Sequence, residues 1–406
     1  MGILSEMESK ATWHSFLEYR KEGCRLNPVE EAELTAFIEQ EAYLPILSAI
    51  RQGDPFPHPR RTAISKKSTS KKRIVYVYPP RENWVMKLMT HLLLRRYDNL
   101  FCPNLYSFRA GHGVQEAVFT LSGTPGIQQM WSYKADISNY FNSIPVTRLL
   151  PLLETAIPEE PEILRFLTNL LLDPLVYDRG QLIPEEKGIM AGCPLSTFLA
   201  NLYLAELDKF FLEQDWLYAR YSDDIIIFAP SREDLEERVR IIHQFLERKG
   251  LAINPSKESR TAPGEQWAFL GIAYHQGILD VAPVSVEKIK AKMRRKKRAL
   301  QRWAHRKNVP GISAAKAFIR VFNSKLFENP ISNDLTWARW FFPLINTDRS
   351  LREIDHYAQQ CIRALATGKN NKSAYNFRYE QMKELGYICL VNRYYSFYGE
   401  NTEKDL

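Results

Sequence analysis

The segment Tyr218-Ala-Arg-Tyr-Ser-Asp-Asp-Ile-Ile-Ile-Phe-Ala229 constrains the fold more than any other stretch of the chain. Two apolar runs flank a pair of adjacent acids, Asp223 and Asp224. Trp216 to Tyr221 predicts one strand and Ile225 to Ala229 its partner. Ser222-Asp223 falls where a tight turn is needed, and such turns favour Ser and Asp. The run Ile225-Ile-Ile-Phe228 does not alternate, so the hairpin is expected to be covered on both faces. Carboxylates at the tip of a buried hairpin repel each other unless cations sit beside them. An isolated Asp-Asp is most often a plain surface turn, and only other parts of the chain shift that balance.

Asp136 is the first of them. Gln129 to Asp136 predicts a strand that ends in an acid and runs into Ile137-Ser-Asn-Tyr-Phe141. If this strand lies beside the hairpin, three carboxylates meet at one edge of a sheet. Two magnesium ions about 4 Å apart would then stabilise both the attacking and the leaving oxygen of a phosphoryl displacement. Magnesium suits such a site because it takes few carboxylates and fills its shell with phosphates and water.

The rest of the chain frames these segments. Residues 1–52 read as helical, with Asn27-Pro28 as a start signal and Pro45 as a kink or a new start. Arg60 to Tyr78 predicts a hairpin around the lysine-rich connector that includes Lys66 and Lys67. Helices are expected over 83–97, 114–121, 145–155, 161–172 and 231–249, and one continuous helix from Ser196 to about Glu213. Leu175 to Ile183 predicts a hairpin and Leu251 to Ile253 a short strand. Trp267 to Tyr274 predicts one strand, paired with Ile278–Val281. Beyond Val284 the chain turns helical, over about 285–307, 312–326, 334–346 and 350–366.

At 406 residues, 45% of them hydrophobic, the chain can form more than one compact unit with a sizeable core. The net charge of +8 is concentrated: Lys288 to Lys307 holds eleven Lys/Arg and no acid. Such a stretch either tracks a polyanion or is a solvated helix face. Trp303 within it is expected to pack inward. No apolar run is long enough for a membrane helix, and the N-terminus lacks the pattern of a secretion signal. Five scattered cysteines without Cys-x-x-Cys spacing argue against zinc and for a reducing, cytoplasmic location.

The order of these segments resembles the bacterial reverse transcriptases of the group II intron and retron-like lineage, over roughly Arg60 to the C-terminus. Tyr221-Ser-Asp-Asp224 looks like the family's Tyr-x-Asp-Asp box, and Asp136-Ile-Ser-Asn-Tyr-Phe141 like its first acidic box. Gly192-Cys-Pro-Leu-Ser196 with Leu199-Ala-Asn-Leu-Tyr203 resembles the loop and helix that support template and nucleotide. Asn254-Pro-Ser-Lys257, Phe269-Leu-Gly271 and Tyr106-Ser-Phe-Arg-Ala-Gly111 resemble further boxes.

The resemblance implies an α+β right-hand polymerase with fingers, a palm on an antiparallel sheet and a helical thumb. The expected divisions are a helical N-terminal extension over 1–52, fingers over 53–135, palm with finger insertion over 136–284, and thumb with C-terminal segment over 285–406. It implies that Asp136, Asp223 and Asp224 are catalytic and hold two Mg2+ (Mn2+ as a substitute), with Ile137 contributing to the metal site. Phe141 becomes a steric gate against the 2′-hydroxyl. Lys66 (or Lys67) and Arg73 grip the triphosphate, while Ala191 and Gly192 border the nucleotide. Lys257 is a candidate proton donor to pyrophosphate, with a plain surface lysine as the equal alternative. Phe269, Leu270 and Gly271 form a primer grip. Arg109, Lys292, Arg295, Lys296 and Arg302 contact nucleic acid.

Three residues depart from the family pattern. Ala191 stands where group II-type enzymes carry Gln, Thr197 where they carry Pro, and Ser222 where Ala is common. The thumb lacks the Val-Thr-Gly box of retron enzymes. By its size, the loop Gly188-Ile-Met-Ala-Gly-Cys193 and the tail Leu385-Gly-Tyr-Ile-Cys-Leu-Val-Asn-Arg-Tyr-Tyr395, the chain resembles the free-standing, defence-associated "unknown group" enzymes, class 2 among them. That implies antiphage defence through complementary DNA copied from a structured non-coding RNA, with deoxynucleoside triphosphates as substrates. The alternatives are an untemplated or protein-primed polymerase of the abortive-infection type, and a catalytically idle RNA-binding scaffold.

Overall fold

The structure, a computed structural model, describes residues 2–23, 26–65, 72–327 and 336–402. Two compact units divide the chain: Met1–Gly23 with Val29–Glu265, and Cys24–Pro28 with Gln266–Leu406.

The first unit opens with helices Ile3–Met7, Lys10–Glu22, Pro28–Glu39 and Leu44–Gln52. Pro45 sits in the first turn of a new helix rather than at a kink, since it needs no N–H there. Trp13 is fully buried, stacked on Tyr43 at 4.8 Å and edge-on to Phe37. Glu160 ties this segment to the body: its carboxylate accepts from the Ile3 N–H and pairs with Arg96 at 2.6 Å.

The unit's strands are β1 (Arg60–Ser65), β2 (Lys72–Val77), β3 (Trp131–Asp136), β4 (Leu175–Asp178), β5 (Gln181–Pro184), β6 (Tyr218–Tyr221), β7 (Asp224–Ala229) and β8 (Ser259–Thr261). One sheet has the order β2-β1-β4-β5, with β1 and β4 parallel and the hairpins antiparallel. The other is antiparallel throughout, in the order β6-β7-β3-β8. In β7 the residues Ile225, Ile226, Ile227 and Phe228 are all fully buried. Side chains on both faces of a strand are buried only when both faces are covered. Each such side chain contributes roughly 1.5–3 kcal/mol. Helix Arg232–Arg248 packs against β7 and β3 through Leu235, Val239 and Ile242. Ser231 caps it, its Oγ accepting from the Asp234 N–H at 3.0 Å.

Two expectations for this unit are corrected. The helix expected from Ser196 to Glu213 is two, Ser196–Tyr203 and Ala205–Glu213, separated at Leu204, whose φ of −109° and ψ of 9° leave the helical range. Apolar residues recur on both sides of the break, so periodicity does not reveal it. Leu251–Ile253 is no strand. Ile253 makes one isolated bridge to Ile137, while Ser259–Thr261, unmarked by any apolar pattern, forms the sheet edge.

The second unit holds β9 (Trp267–Phe269), β10 (Ile272–His275) and β11 (Ile278–Val281) in one antiparallel sheet. The single strand expected over Trp267–Tyr274 is broken at Leu270-Gly271, where φ is +50° and +89°. Positive φ at both central residues makes a two-residue hairpin turn. Leu is a poor signal for that geometry, which is why the sequence hides it. Helices Pro283–Lys307, Gly311–Leu326, Trp337–Phe341 and Arg349–Thr367 follow, and then Tyr379–Glu384 and Leu390–Thr402. Asp355 holds the last of these. It accepts from the Leu390 and Val391 N–H groups at 2.9 and 3.0 Å and from the Tyr387 hydroxyl. Trp303 is half-buried, so the inward packing expected for it is incomplete.

Candidate active site

The register of the central sheet assembles the acids. Asp136, the last residue of β3, pairs directly with Asp224, the first of β7. Cross-strand partners project to the same face. Asp223 lies one residue away in the turn, and its carbonyl accepts the Ile137 N–H at 3.0 Å. On the other side of β3, the Asp136 carbonyl accepts from Asn254 N at 2.8 Å. Asp136 is therefore anchored from both flanks.

The turn beneath the acids is strained and buried. Ser222 has φ of +58° and is 5% exposed. A non-glycine residue in that region costs about 1–3 kcal/mol and persists only where surroundings over-determine it. Here they do: the Ser222 N–H donates to Ser107 Oγ at 2.9 Å, and its carbonyl accepts from Arg220 at 3.3 Å. Ser107 Oγ donates to Asn201 Oδ1, and Asn201 Nδ2 donates to the Ser107 carbonyl. Arg220 also donates from Nε to Asp208 Oδ1 at 2.7 Å and to the Asn201 carbonyl. Tyr218 donates its hydroxyl to Asp208 as well. Sequence reasoning missed this network. Its available signal was an arginine inside the apolar strand Tyr-Ala-Arg-Tyr, and an aspartate among the apolar residues of the helix that holds it.

The electrostatics fit a cation. Burial, then repulsion from Asp223, pushes the Asp224 carboxyl up to about 6, with Lys134 opposing. Burial, then the charge of Asp136, also raises Asp223; Lys257 and Arg73 oppose. Negative charge in this cluster is thus under-compensated. The Lys257 ammonium pairs with Asp136 Oδ2, supplying part of the missing positive charge. Among the described residues no three His, Cys, Asp or Glu side chains are arranged around one ion. Magnesium is commonly bound by one or two carboxylates plus substrate oxygens, so a set of acid pairs is a suitable donor set.

A second group of residues stands beside the acids on β2 and the loop 188–192. Phe141 is half-buried and in edge contact with Tyr140, whose ring is buried. Phe141 is thus partly open rather than core. The Ile189 N–H donates to the Phe141 carbonyl at 2.9 Å, and a Cβ on Gly188 would lie 2.7 Å from that oxygen. Only glycine permits this approach at φ of +52°. Asn142, unmarked in the sequence, joins the parts: its Oδ1 accepts from the Ala191 N–H at 2.7 Å and its Nδ2 donates to the Ile74 carbonyl.

Some expected site residues are placed otherwise. The Ala191 side chain is buried and both its backbone groups are engaged, the carbonyl by Tyr76 N at 2.8 Å. Its carbonyl anchors β2. Gly192 beside it is exposed. Arg109, expected to contact nucleic acid, is engaged internally. Its side chain is 5% exposed, forked onto Asp98 at 2.8 and 3.0 Å, and bonded to the Cys102 and Leu105 carbonyls. Arg73 is exposed on β2. Lys66 and Lys67 lie outside the described residues.

Phe269, Leu270 and Gly271 form the tight turn of the second unit, where a Cβ on Gly271 would meet Ser285 Oγ at 3.3 Å. On helix Pro283–Lys307, Arg295 and Arg302 are exposed while Lys292 and Lys296 are half-buried. Lys290 on the same helix is paired with Glu287 and Glu353 instead.

An antiparallel sheet carrying acids on two adjacent strands, with helices on its face and a helix-rich second unit, defines a right-hand polymerase fold. Residues 64–274 match the family model described as reverse transcriptase (RNA-dependent DNA polymerase), just over half of the chain. The chain belongs to the reverse transcriptase family.

It is 26% identical over 237 residues to the group II intron-encoded protein LtrA of Lactococcus lactis, which covers 57% of this chain and 38% of that protein. It is 21% identical over 234 residues to the retron Ec86 reverse transcriptase of Escherichia coli, covering 57% and 67%. The chain thus spans well under half the length of the intron-encoded relative. Among solved structures it is similar to apo telomerase from Candida tropicalis, with a TM-score of 0.46, 14% identity, and 56% of this chain and 55% of that one covered. Among the described residues no helix is long and apolar enough to cross a membrane.

Proposed function

We propose that this chain is an RNA-templated DNA polymerase that copies a structured non-coding RNA into complementary DNA. The observation that carries this reading is the in-register pairing of Asp136 with Asp224, with Asp223 in the adjoining turn. Asp136 and Asp223 hold magnesium, with Asp224 and the Ile137 backbone beside them. When bound, the two ions supply charge stabilisation to the attacking hydroxyl and the leaving pyrophosphate.

This chain's own residues do the rest. Arg73 steadies the triphosphate, since a guanidinium matches phosphate oxygens in a bidentate way. Phe141 sits under the sugar and excludes a 2′-hydroxyl. Lys257 leaves Asp136 and donates a proton to the pyrophosphate. Gly271 lets the Phe269–Gly271 turn approach the primer backbone closely. Arg295 and Arg302 face the duplex phosphates and read charge, not sequence. The proposed divisions are fingers over 53–135, palm over 136–284 and thumb over 285–406.

The defence role and the non-coding RNA partner rest on the likeness to free-standing defence-associated enzymes. Purifying the protein from its host and sequencing the bound RNA and the DNA made from it tests both. One dominant structured RNA, copied into matching DNA, is the expected result. Bulk RNA without enrichment would remove the partner from the account.

The buried Ala191 methyl favours a second reading, because no amide stands there to contact the incoming nucleotide. In that reading synthesis is untemplated and survives removal of RNA by ribonuclease.

A further inference from the structure

A cavity of about 450 Å³ opens in the second unit between helices Pro283–Lys307 and Arg349–Thr367 and the turn that follows the latter. Its size is that of a small-ligand pocket. The floor is shallow-sided because the residues there are small: Cys361, Ala364 and Ala374 are buried. The rim is cationic, with Lys297, Arg363, Lys369 and Lys372, and no carboxylate lines it among the described residues.

The local sequence builds this hollow deliberately. Gly368 ends the helix at φ of +69°, so the chain turns back at once. The Asn371 side chain accepts from Ser373 N at 3.2 Å and Ser373 Oγ at 2.6 Å, which fixes the short helix Lys372–Asn376. That helix carries Tyr375, 53% exposed, with the Arg363 guanidinium 4.7 Å from its ring centre. The Arg363 Nε donates to the Phe377 carbonyl at 3.2 Å, so the cation is held over one face of the ring and a base would stack on the other.

Charge decides the class of ligand. The helix C-terminus at Thr367 contributes about half a negative charge. Four full positive charges outweigh it. An exposed aromatic platform beside cations is the combination that single-stranded nucleic acid uses, through base stacking and phosphate pairing. A duplex keeps its bases stacked inside and cannot offer one to Tyr375.

We propose that this pocket binds a single-stranded segment of RNA, one base stacked on Tyr375 and the adjoining phosphates held by Lys297, Lys369 and Lys372. The proposal deepens the RNA-partner reading and rests on it only in that the polyanion is RNA. The test measures binding without deoxynucleotides, so failure of synthesis and failure of this site are separate results.

Fluorescence anisotropy on the full chain would compare a short labelled oligouridylate, a blunt RNA duplex of equal length, and uridine monophosphate as competitor. The Lys369→Glu/Lys372→Glu variant is expected to weaken the single strand at least about ten-fold. Tyr375→Ala should weaken it about five-fold or more, and Tyr375→Phe should restore it. Duplex affinity should change by less than about two-fold. Thermal unfolding checks that these exposed substitutions leave the fold intact. Unchanged single-strand binding in all variants would overturn the proposal, as would equal losses for strand and duplex. Competition by the monophosphate as strong as by the strand would reassign the site to a free nucleotide and overturn the strand.

Discussion

Arg220 and Asp208 form an ion pair from which solvent is wholly excluded, both side chains being 0% exposed. The pair lies directly under the strained Ser222 turn, and Arg220 also donates to the Ser222 carbonyl. The cost of burying two charges is met only while both are present and fully hydrogen-bonded. Burial works against the charged guanidinium, but the charge and hydrogen bonds of Asp208 outweigh it and raise the value above the usual arginine range.

Asp208→Asn should therefore cost about 3–5 kcal/mol of stability, because it strands a buried guanidinium. Urea unfolding followed by tryptophan fluorescence measures it. The joint change Arg220→Met with Asp208→Leu should recover part of that loss, since no unpaired charge remains while the Ser222 and Asn201 carbonyls and the Tyr218 hydroxyl lose their partners. A loss below about 1 kcal/mol in the single variant would show the pair to be unimportant to the fold.

Phe141→Val should raise ribonucleotide incorporation relative to deoxynucleotide by at least about ten-fold, since removing a clash of even a few heavy atoms is worth more than 1.4 kcal/mol. Single-nucleotide extension with each substrate gives the ratio. Unchanged sugar discrimination would return Phe141 to a packing role.

Lys257→Met should tighten manganese binding to the free protein several-fold, because it removes a cation that competes at Asp136. It should also slow synthesis if Lys257 supplies the proton. An electron paramagnetic titration of Mn2+ alongside steady-state kinetics separates the two effects. Weaker metal binding in the variant would contradict the competition.

Lys87 gives a pH signature. It lies 4.3 Å from the Trp84 ring centre, and burial, then repulsion from Arg20, lowers its value from 10.5 to about 8, with Glu30 opposing. Between pH 8 and 10.5 the unfolded chain then holds more protons than the folded one. Stability contributed by this group therefore rises with pH across that window and is lowest below it. Lys87→Met should stabilise the protein by up to about 3 kcal/mol at pH 7, an advantage that fades as pH approaches the unfolded value. Urea midpoints of both proteins across this range provide the check. A constant difference would mean that Lys87 is not held at a depressed value.

Much of this was legible in the sequence for a physical reason. The hairpin Tyr218–Ala229 shows itself because a central strand needs apolar residues on both faces, and its turn needs short polar ones. Asp136 was legible as an acid closing an apolar strand. What stayed hidden depends on contacts between distant segments. Arg220 and Asp208 are twelve residues apart and meet where β6 returns beside the helix Ala205–Glu213. Asn142 gains its role from Ile74 and Ala191, and Arg109 its pairing from Asp98. The turn at Leu270-Gly271 is hidden by its residue types, since Leu rarely takes positive φ.

The central claim is that Asp136 and Asp223 support RNA-templated DNA synthesis. The most direct measurement is extension of an annealed primer on a defined RNA template, with magnesium and labelled deoxynucleotides, by the wild-type chain and by Asp223→Asn. The account predicts full-length complementary DNA from the wild type only when template is present, and a fall of at least about a hundred-fold in the variant. No synthesis by the wild type, or equal synthesis by both proteins, would contradict it.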